Sequence, residues 1–243
     1  MSSPLAHPTT VLVTGATSGV GAALCDLLLL RGHTVLALAR SAAHLPARPG
    51  LHPVGADLTD LTAIPALAGR LAADHPGLAI LVNNAAVQHA RPLTDPASRP
   101  GHLIEEAALN LAAPALLAQA LLPHLVTRPE GAIVNISSGL AVFPKQAGGL
   151  YSATKAGLSS FTTSLRWQVD GTPLLVSEVQ LPLVDTPMTA GRGARKLAPE
   201  DAAAAILVGV AARRPVIRVG SARALPVLQA LAPWAGRRIL RGS

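Results

Sequence analysis

The segment YSATK, residues 151–155, holds the only tyrosine in the chain and one of its three lysines, four positions apart. On a helix that spacing puts a phenol and an ammonium on one face. A phenol has a reference pKa near ~10, so at neutral pH it is a proton donor. An ammonium beside it favours the phenolate and is expected to lower that pKa. Such a phenol can give a proton to a carbonyl oxygen or take one from an alcohol. Ser138 stands thirteen positions earlier, in IVNISSG, at the end of an apolar run that reads as a strand. A hydroxyl there can hold the oxygen that the phenol serves. Asn110, in EEAALNLAAP, is a polar residue in an otherwise apolar helical pattern. It reads either as a satisfied buried amide or as a link from Lys155 through water to solvent.

A carbonyl and its alcohol also differ by a hydride, and a protein borrows a cofactor to carry one. The stretch VLVTGATSGVGAAL reads as a strand, a glycine-rich turn and a helix start. Its Gly15, Gly19 and Gly21, with Thr17, Ser18 and Val20 between them, form G-x-x-x-G-x-G. The first glycine permits the turn, the second admits a pyrophosphate, and the third lets helix pack closely on strand. The helix N-terminus then offers N–H groups and a positive dipole end to the phosphates. The reading is a dinucleotide site, completed on the nicotinamide side by Tyr151 and Lys155.

The second apolar run ends LALAR, with Arg40 where an NAD-preferring site often carries an acid. A guanidinium there can form a fork with a 2′-phosphate. NADP(H) is therefore expected over NAD(H), which stays the second choice; a plain surface arginine is the alternative. In GADLTD, Asp57 with the backbone of Leu58 is placed to meet the adenine edge, or else the stretch is a helix N-cap at Thr59 or Asp60. In NNAA, residues 83–86, the backbone of Asn84 and Ala85 is expected against the cofactor ribose; an Asn-rich turn is the bland reading.

The elements that must position these groups alternate along the chain. Apolar runs at 10–13, 34–38, 51–55, 79–82, 132–136, 174–180 and 216–219 read as strands, and 21–31, 61–74, 105–125, 150–168 and 199–212 as helices. Short continuous apolar strands indicate burial on both faces. Their alternation with helices predicts an α/β, doubly wound, Rossmann-like fold with about seven parallel strands. One domain spanning 1–243 is expected, with loops at 41–50 and 91–101. The tail at about 222–243 reads as a short amphipathic helix broken at Pro226 and Pro233, covering the substrate site or an interface.

Half of the residues are hydrophobic and only 2% aromatic, so Ala, Leu and Val must fill the core. One cysteine, Cys25 in an apolar run, excludes a disulfide framework and fits a reduced, cytoplasmic setting. The N-terminus shows no signal-peptide pattern. The apolar stretch 107–126 contains Asn110, Pro114, Gln119 and His124, so a buried helix is expected rather than a membrane span. Residues 192–243 carry ten cations against two carboxylates, whereas the rest of the chain is nearly balanced. Scarce aromatics and the lack of a recognition motif argue against nucleic acid. The eight histidines show no metal-ligand spacing, so no metal is expected.

Residues 14–21, 83–86, Asn110, Ser138 and Tyr151-x-x-x-Lys155 together resemble the single-domain branch of the short-chain dehydrogenase/reductase family in order and spacing. The resemblance spans residues 9 to about 220. It implies that Ser138 orients the substrate oxygen, Tyr151 is the general acid/base, Lys155 tunes it and binds ribose, and Asn110 joins the proton relay. It also implies contacts from Pro182 and Thr186 to the nicotinamide, and a homodimer or homotetramer through the helix holding Tyr151 and the next one. Two positions depart from the family pattern: Ala86 replaces the glycine of NNAG, and Leu183 replaces the glycine of a Pro-Gly. The segments NNAAVQ, SSGLAVFP and PLVDTPM further resemble a subgroup associated with D-alanine esterification of teichoic acids, a pathway we do not carry over.

Leu140 and Phe143 in one segment and Leu183 and Met188 in another are expected to form apolar walls of the substrate pocket, with a lid at about 187–198. Arg192, Arg195 or Lys196 on that lid would meet an anionic or carrier-bound small-molecule substrate. His89 reads as a loop histidine. The expected activity is an NADP(H)-dependent oxidoreductase on a carbonyl or secondary alcohol. A dinucleotide-binding regulator or scaffold without turnover, and a non-redox dehydratase or cyclase, are the alternatives.

Overall fold

The computed structural model describes residues 3–234 and 236. Seven strands, β1 (Thr10–Thr14), β2 (Thr34–Ala39), β3 (Leu51–Gly55), β4 (Leu78–Asn83), β5 (Ala132–Ser138), β6 (Leu175–Leu181) and β7 (Val216–Arg218), form one sheet. Their order is β3-β2-β1-β4-β5-β6-β7, and every neighbouring pair is parallel. Strand order reverses between β1 and β4, and the crevice beyond the carboxyl ends of the strands at such a reversal is where ligands bind.

Alternate strand residues face opposite layers. Val11, Val13, Val134 and Val179 pack with Leu24 and Leu28 of α1 (Gly19–Leu30) and Ile206 and Val210 of α6 (Pro199–Ala211). Leu12, Leu36, Leu81 and Ile133 pack on the other face with Leu67 and Leu71 of α2 (Ile64–Asp74), Leu117 and Leu121 of α4 (Ala113–Leu125) and Leu165 of α5 (Gly149–Gln168). The core is aliphatic, as the composition requires.

Two helix starts differ from expectation by three residues or more. The segment 61–63 is turn, because the Asp60 carboxylate accepts from the Thr62 hydroxyl (2.7 Å) and the Ala63 N–H (3.3 Å); Pro65, lacking an N–H, then sits in the first turn of α2. The helix expected from 105 begins earlier, with α3 (Pro100–Ala107), again led by proline. α3 runs into α4 through a π-helical turn, Ala108–Ala112. Pro114 explains the widening: without an N–H it leaves the Asn110 carbonyl, four residues before it, without its ordinary helical donor. The continuous stretch Pro100–Leu125 is long and apolar enough to cross a membrane by length and composition. In the fold, its Leu117, Ala118, Leu121 and Leu125 are fully buried against the rest of the domain.

Near the C-terminus, Pro226 does not break a helix. It lies in the first turn of α7 (Leu225–Leu231), and Pro233 follows the end of α7. The remainder of the predicted tail, with Arg237, Arg238 and Arg241, lies outside the described residues.

Candidate active site

The β1–α1 turn carries glycine at positions 15, 19 and 21 for steric reasons. Gly15 and Gly19 have φ of 66° and 54°, the left-handed region. A Cβ on Gly21 would sit 2.1 Å from the Gly15 carbonyl oxygen. Thr14 and Asn84 brace the turn from below. The Thr14 hydroxyl accepts from the Asn84 and Ala85 N–H groups (both 2.9 Å), and the Asn84 amide donates to the Thr14 carbonyl (2.9 Å) and the Gly15 carbonyl (3.3 Å). The result is a bare cradle at a helix N-terminus, the setting that suits a pyrophosphate.

A cleft of about 190 Å³ lies over this turn, lined by Gly15, Ser18, Gly19, Val20, Asn84, Ala85, Ser138, Tyr151, Lys155, Pro182, Thr186 and Met188 among others. A second cleft of about 180 Å³ adjoins it through Gly15, Ala85 and Ala86 and ends at Thr17, Arg40, Ser41, Asp57 and Leu58. Together they make one trough across the carboxyl ends of β1, β2 and β4. Arg40 is exposed at its rim, and the Ser41 hydroxyl donates to that of Thr17 (3.3 Å). Asp57 turns one carboxylate oxygen onto Thr59, whose N–H (2.9 Å) and hydroxyl (2.7 Å) hold the carboxyl below its usual pKa.

Opposite the trough, α5 brings Tyr151 and Lys155 to the end of β5. Lys155 is buried and donates to the Ile136 carbonyl (2.8 Å), with Nζ 5.7 Å from the centre of the Tyr151 ring. Burial pushes its pKa down to about 8. Burial pushes Tyr151 up to about 12; Arg192 acts against this and Glu106 with it. The expected lowering of Tyr151 by Lys155 is therefore not what this arrangement produces. Desolvation outweighs it, and the cation that favours the phenolate is Arg192. The Ser138 hydroxyl accepts from the Leu140 N–H (3.1 Å), which fixes it at the mouth of β5.

Asn110 is fully buried in the π turn. Its side-chain oxygen accepts from the Val87 N–H (2.9 Å), and its amide donates to the Val87 carbonyl (2.8 Å) and the Thr154 hydroxyl (3.4 Å). The side chain is thus a satisfied amide that ties the loop after β4 to α5, and no direct contact links it to Lys155. Its backbone carbonyl loses the ordinary helical donor four residues on, because that residue is Pro114.

A third cavity, about 510 Å³, opens on the far side of Tyr151. Its apolar walls are Leu140, Leu181, Pro182, Leu183, Ala222 and Leu225, and its polar ones include Gln88, Ser138, Lys145, Tyr151 and Arg192. The segment after β6 arches over it. The ends of this arch are pinned where Val184 bridges Leu197, and the Lys196 ammonium clamps its base by donating to Asp185 (3.1 Å) and the Thr189 carbonyl (2.8 Å). At its crest Arg192 stands between Gly191 and Gly193, whose φ values are 73° and 64°, and donates to Gln88 across the cavity (2.6 Å).

A profile of the short chain dehydrogenase family matches residues 9–197. The chain belongs to the short chain dehydrogenases. It is 38% identical over 184 residues to an uncharacterized oxidoreductase, DltE, of Bacillus subtilis (strain 168), covering 73% of this chain and 72% of that one. Among solved structures, it resembles a short chain dehydrogenase from Burkholderia cenocepacia J2315 in complex with NADP, with a TM-score of 0.85, 26% identity and coverage of 96% and 98%. A short-chain dehydrogenase from Sphingobium yanoikuyae in complex with NADPH gives a TM-score of 0.80 at 28% identity, with coverage of 94% and 95%.

Within this short chain dehydrogenase, all the residues expected around the cofactor lie along the trough except Gly21, which shapes it from behind. Ser138, Leu140 and Leu183 line the third cavity. Two expected wall residues do not. Phe143 is 2% exposed, turned inward so that a Cβ on Gly236 would meet its ring at 2.6 Å. Met188 lies on the cofactor cleft instead, because the 3-10 turn Pro187–Thr189 carries it to that side. Of the lid cations, Lys196 is spent on the loop, Arg195 is exposed away from the cavity wall, and Arg192 alone lines it. His89 contacts Glu105 (2.8 Å) and stacks on His102, away from the cavity. Sequence reasoning missed Gln88, Lys145, Ser41 and Leu225. Lys145 left a signal, since it is one of three lysines and directly follows a predicted wall segment.

Proposed function

We propose that the chain is an NADP(H)-dependent oxidoreductase that interconverts a carbonyl compound and its secondary alcohol. The observation that carries this reading is that the trough and the third cavity share two polar side chains, Ser138 and Tyr151. A molecule in the third cavity therefore shares with the contents of the trough a border that carries a hydroxyl able to hold its oxygen and a phenol able to protonate it.

The cradle fits a dinucleotide, since a side chain at Gly19 would reach Thr186 across it, and one at Gly15 or Gly21 would collide with the backbone that forms it. Arg40, Thr17 and Ser41 at the far end suit a 2′-phosphate, and structural relatives hold NADP or NADPH. Lys155 is placed to hold the ribose next to Tyr151, and Thr186 and Pro182 to border the nicotinamide. When bound, the dinucleotide supplies the hydride in reduction or accepts it in oxidation.

The chain's own residues handle the proton. Ser138 holds the substrate oxygen. The Tyr151 hydroxyl, protonated at neutral pH, gives its proton to that oxygen as the carbonyl carbon is reduced, and the product is an alcohol. The phenolate left behind faces Lys155 and Arg192, both cationic, until a proton returns. In this reading the buried Lys155 ammonium and the Asn110 carbonyl serve the return of that proton. In oxidation the same phenolate removes the alcohol proton.

Exposed Trp167 on α5 and Val208 on α6 would be covered in a homodimer or homotetramer built through these helices. The test of function is the loss of NADPH absorbance with a panel of ketones and aldehydes. The reading expects turnover that Tyr151→Phe abolishes while NADPH still binds. Tight NADPH binding with no carbonyl reduced would favour a regulator or scaffold instead.

A further inference from the structure

Two cations line the third cavity, Lys145 after β5 and Arg192 at the crest of the lid. Both are half-buried. Among the described residues, neither has a carboxylate within ion-pair distance. The one side chain that Arg192 reaches is Gln88, a neutral amide. The two charges also feel each other, since burial first and Arg192 second hold the Lys145 ammonium below its usual pKa. Like charges brought together in a partly dry wall are unfavourable unless an anion sits between them. The other lid cation is neutralised by contrast, for Lys196 sits on Asp185. The remaining walls, Leu140, Leu181, Leu183 and Leu225, are apolar. A ligand matching this lining has an aliphatic body and one anionic end, with its carbonyl at Ser138 and Tyr151.

We propose that Lys145 and Arg192 form an oxyanion-binding pair that selects substrates carrying a carboxylate or phosphate at the end remote from the reacting carbonyl. The inference rests on the oxidoreductase reading for the carbonyl end, but the anion site stands on its own geometry. Gln88 holds one guanidinium nitrogen and leaves the other donors of Arg192 for the oxyanion, while Lys145 adds a point charge. The flanking glycines let the crest carry Arg192 over the cavity with the lid ends fixed.

Binding to the NADP+-saturated protein, measured by calorimetry with hexanoate, hexyl phosphate and hexanamide, tests the site without turnover. At least one anion should bind about tenfold or more tighter than the amide, as charge-assisted hydrogen bonds allow. The tighter of the two names the class. Lys145→Gln and Arg192→Gln should each cut that preference severalfold, and Lys145→Arg and Arg192→Lys should keep most of it; melting curves confirm that each variant is folded. Equal binding of anions and amide, or a preference unmoved by both Gln substitutions, overturns the proposal. In parallel, kcat/KM for oxo acids of increasing chain length is compared with that for their methyl esters. The acid-to-ester ratio should exceed one for wild type and fall with each Gln variant. If the anions bind selectively but no oxo acid or ester is reduced, the redox reading fails and the anion site stands. If the esters are reduced and a carboxylate gains nothing in either assay, the anion site fails and the redox reading stands.

Discussion

The Lys155 ammonium lies 5.7 Å from the centre of the Tyr151 ring yet gives its hydrogen bond to the Ile136 carbonyl at 2.8 Å. The pair is therefore a desolvated phenol beside a desolvated ammonium, and burial drives their pKa values apart, the phenol up to about 12 and the ammonium down to about 8.

This burial leaves a mark on stability. The folded pKa of Lys155, about 8, lies below the ordinary lysine value of 10.5. Between the two the unfolded chain binds more protons, so stability rises with pH across that window and the contribution is lost as pH falls through 8. The full difference is on the order of 3 kcal/mol. Lys155→Met removes the titration. The melting temperature of wild type minus that of Lys155→Met should increase by several degrees from pH 7 to pH 10. A constant difference over that range would contradict a buried, charge-strained lysine.

The glycine turn predicts a steric penalty. At Gly21 an added methyl meets the Gly15 carbonyl oxygen at 2.1 Å, a backbone atom that cannot step aside. Gly21→Ala should destabilise the fold by roughly 1–3 kcal/mol and weaken NADPH binding, because the turn must open to admit it. Fluorescence titration with NADPH and a thermal melt check both effects. An unchanged melt and affinity would show that the turn is loose.

Arg40 sits at the exposed rim of the cleft with Thr17 and Ser41. Arg40→Glu replaces a partner of a 2′-phosphate with a repelling charge. The ratio of kcat/KM for NADPH over NADH should fall by about tenfold or more, given the strength of charge-assisted hydrogen bonds. A ratio that holds steady would place the discrimination on Thr17 and Ser41.

The sheet was legible because its central strands β1, β2, β4, β5 and β6 are short, mostly apolar runs that the fold buries. The glycine turn and the Tyr151–Lys155 pair were legible because their spacing is local. What depended on long-range placement was not. Lys145 and Arg192 are 47 positions apart, and only the arch pinned at Val184 and Leu197 brings them to one cavity. Phe143 and Met188 are apolar residues in the expected segments, but short 3-10 turns beside them decide which way each side chain faces. The partners of the Asn110 amide depended on the loop after β4, 23 positions away, which brings the Val87 N–H and carbonyl to it. The direction of the Tyr151 shift depended on desolvation, which spacing alone does not reveal.

The central claim is that Ser138 and Tyr151 join a cofactor trough to a substrate cavity, so that hydride and proton meet on one carbonyl. The most direct measurement is the mass of the alcohol formed from a reducible oxo acid or its ester with NADPH deuterated at the transferable position. The account predicts one deuterium on the carbinol carbon of every product molecule, and no alcohol from Tyr151→Phe that still binds NADPH. Alcohol without deuterium, or full activity in Tyr151→Phe, would contradict it.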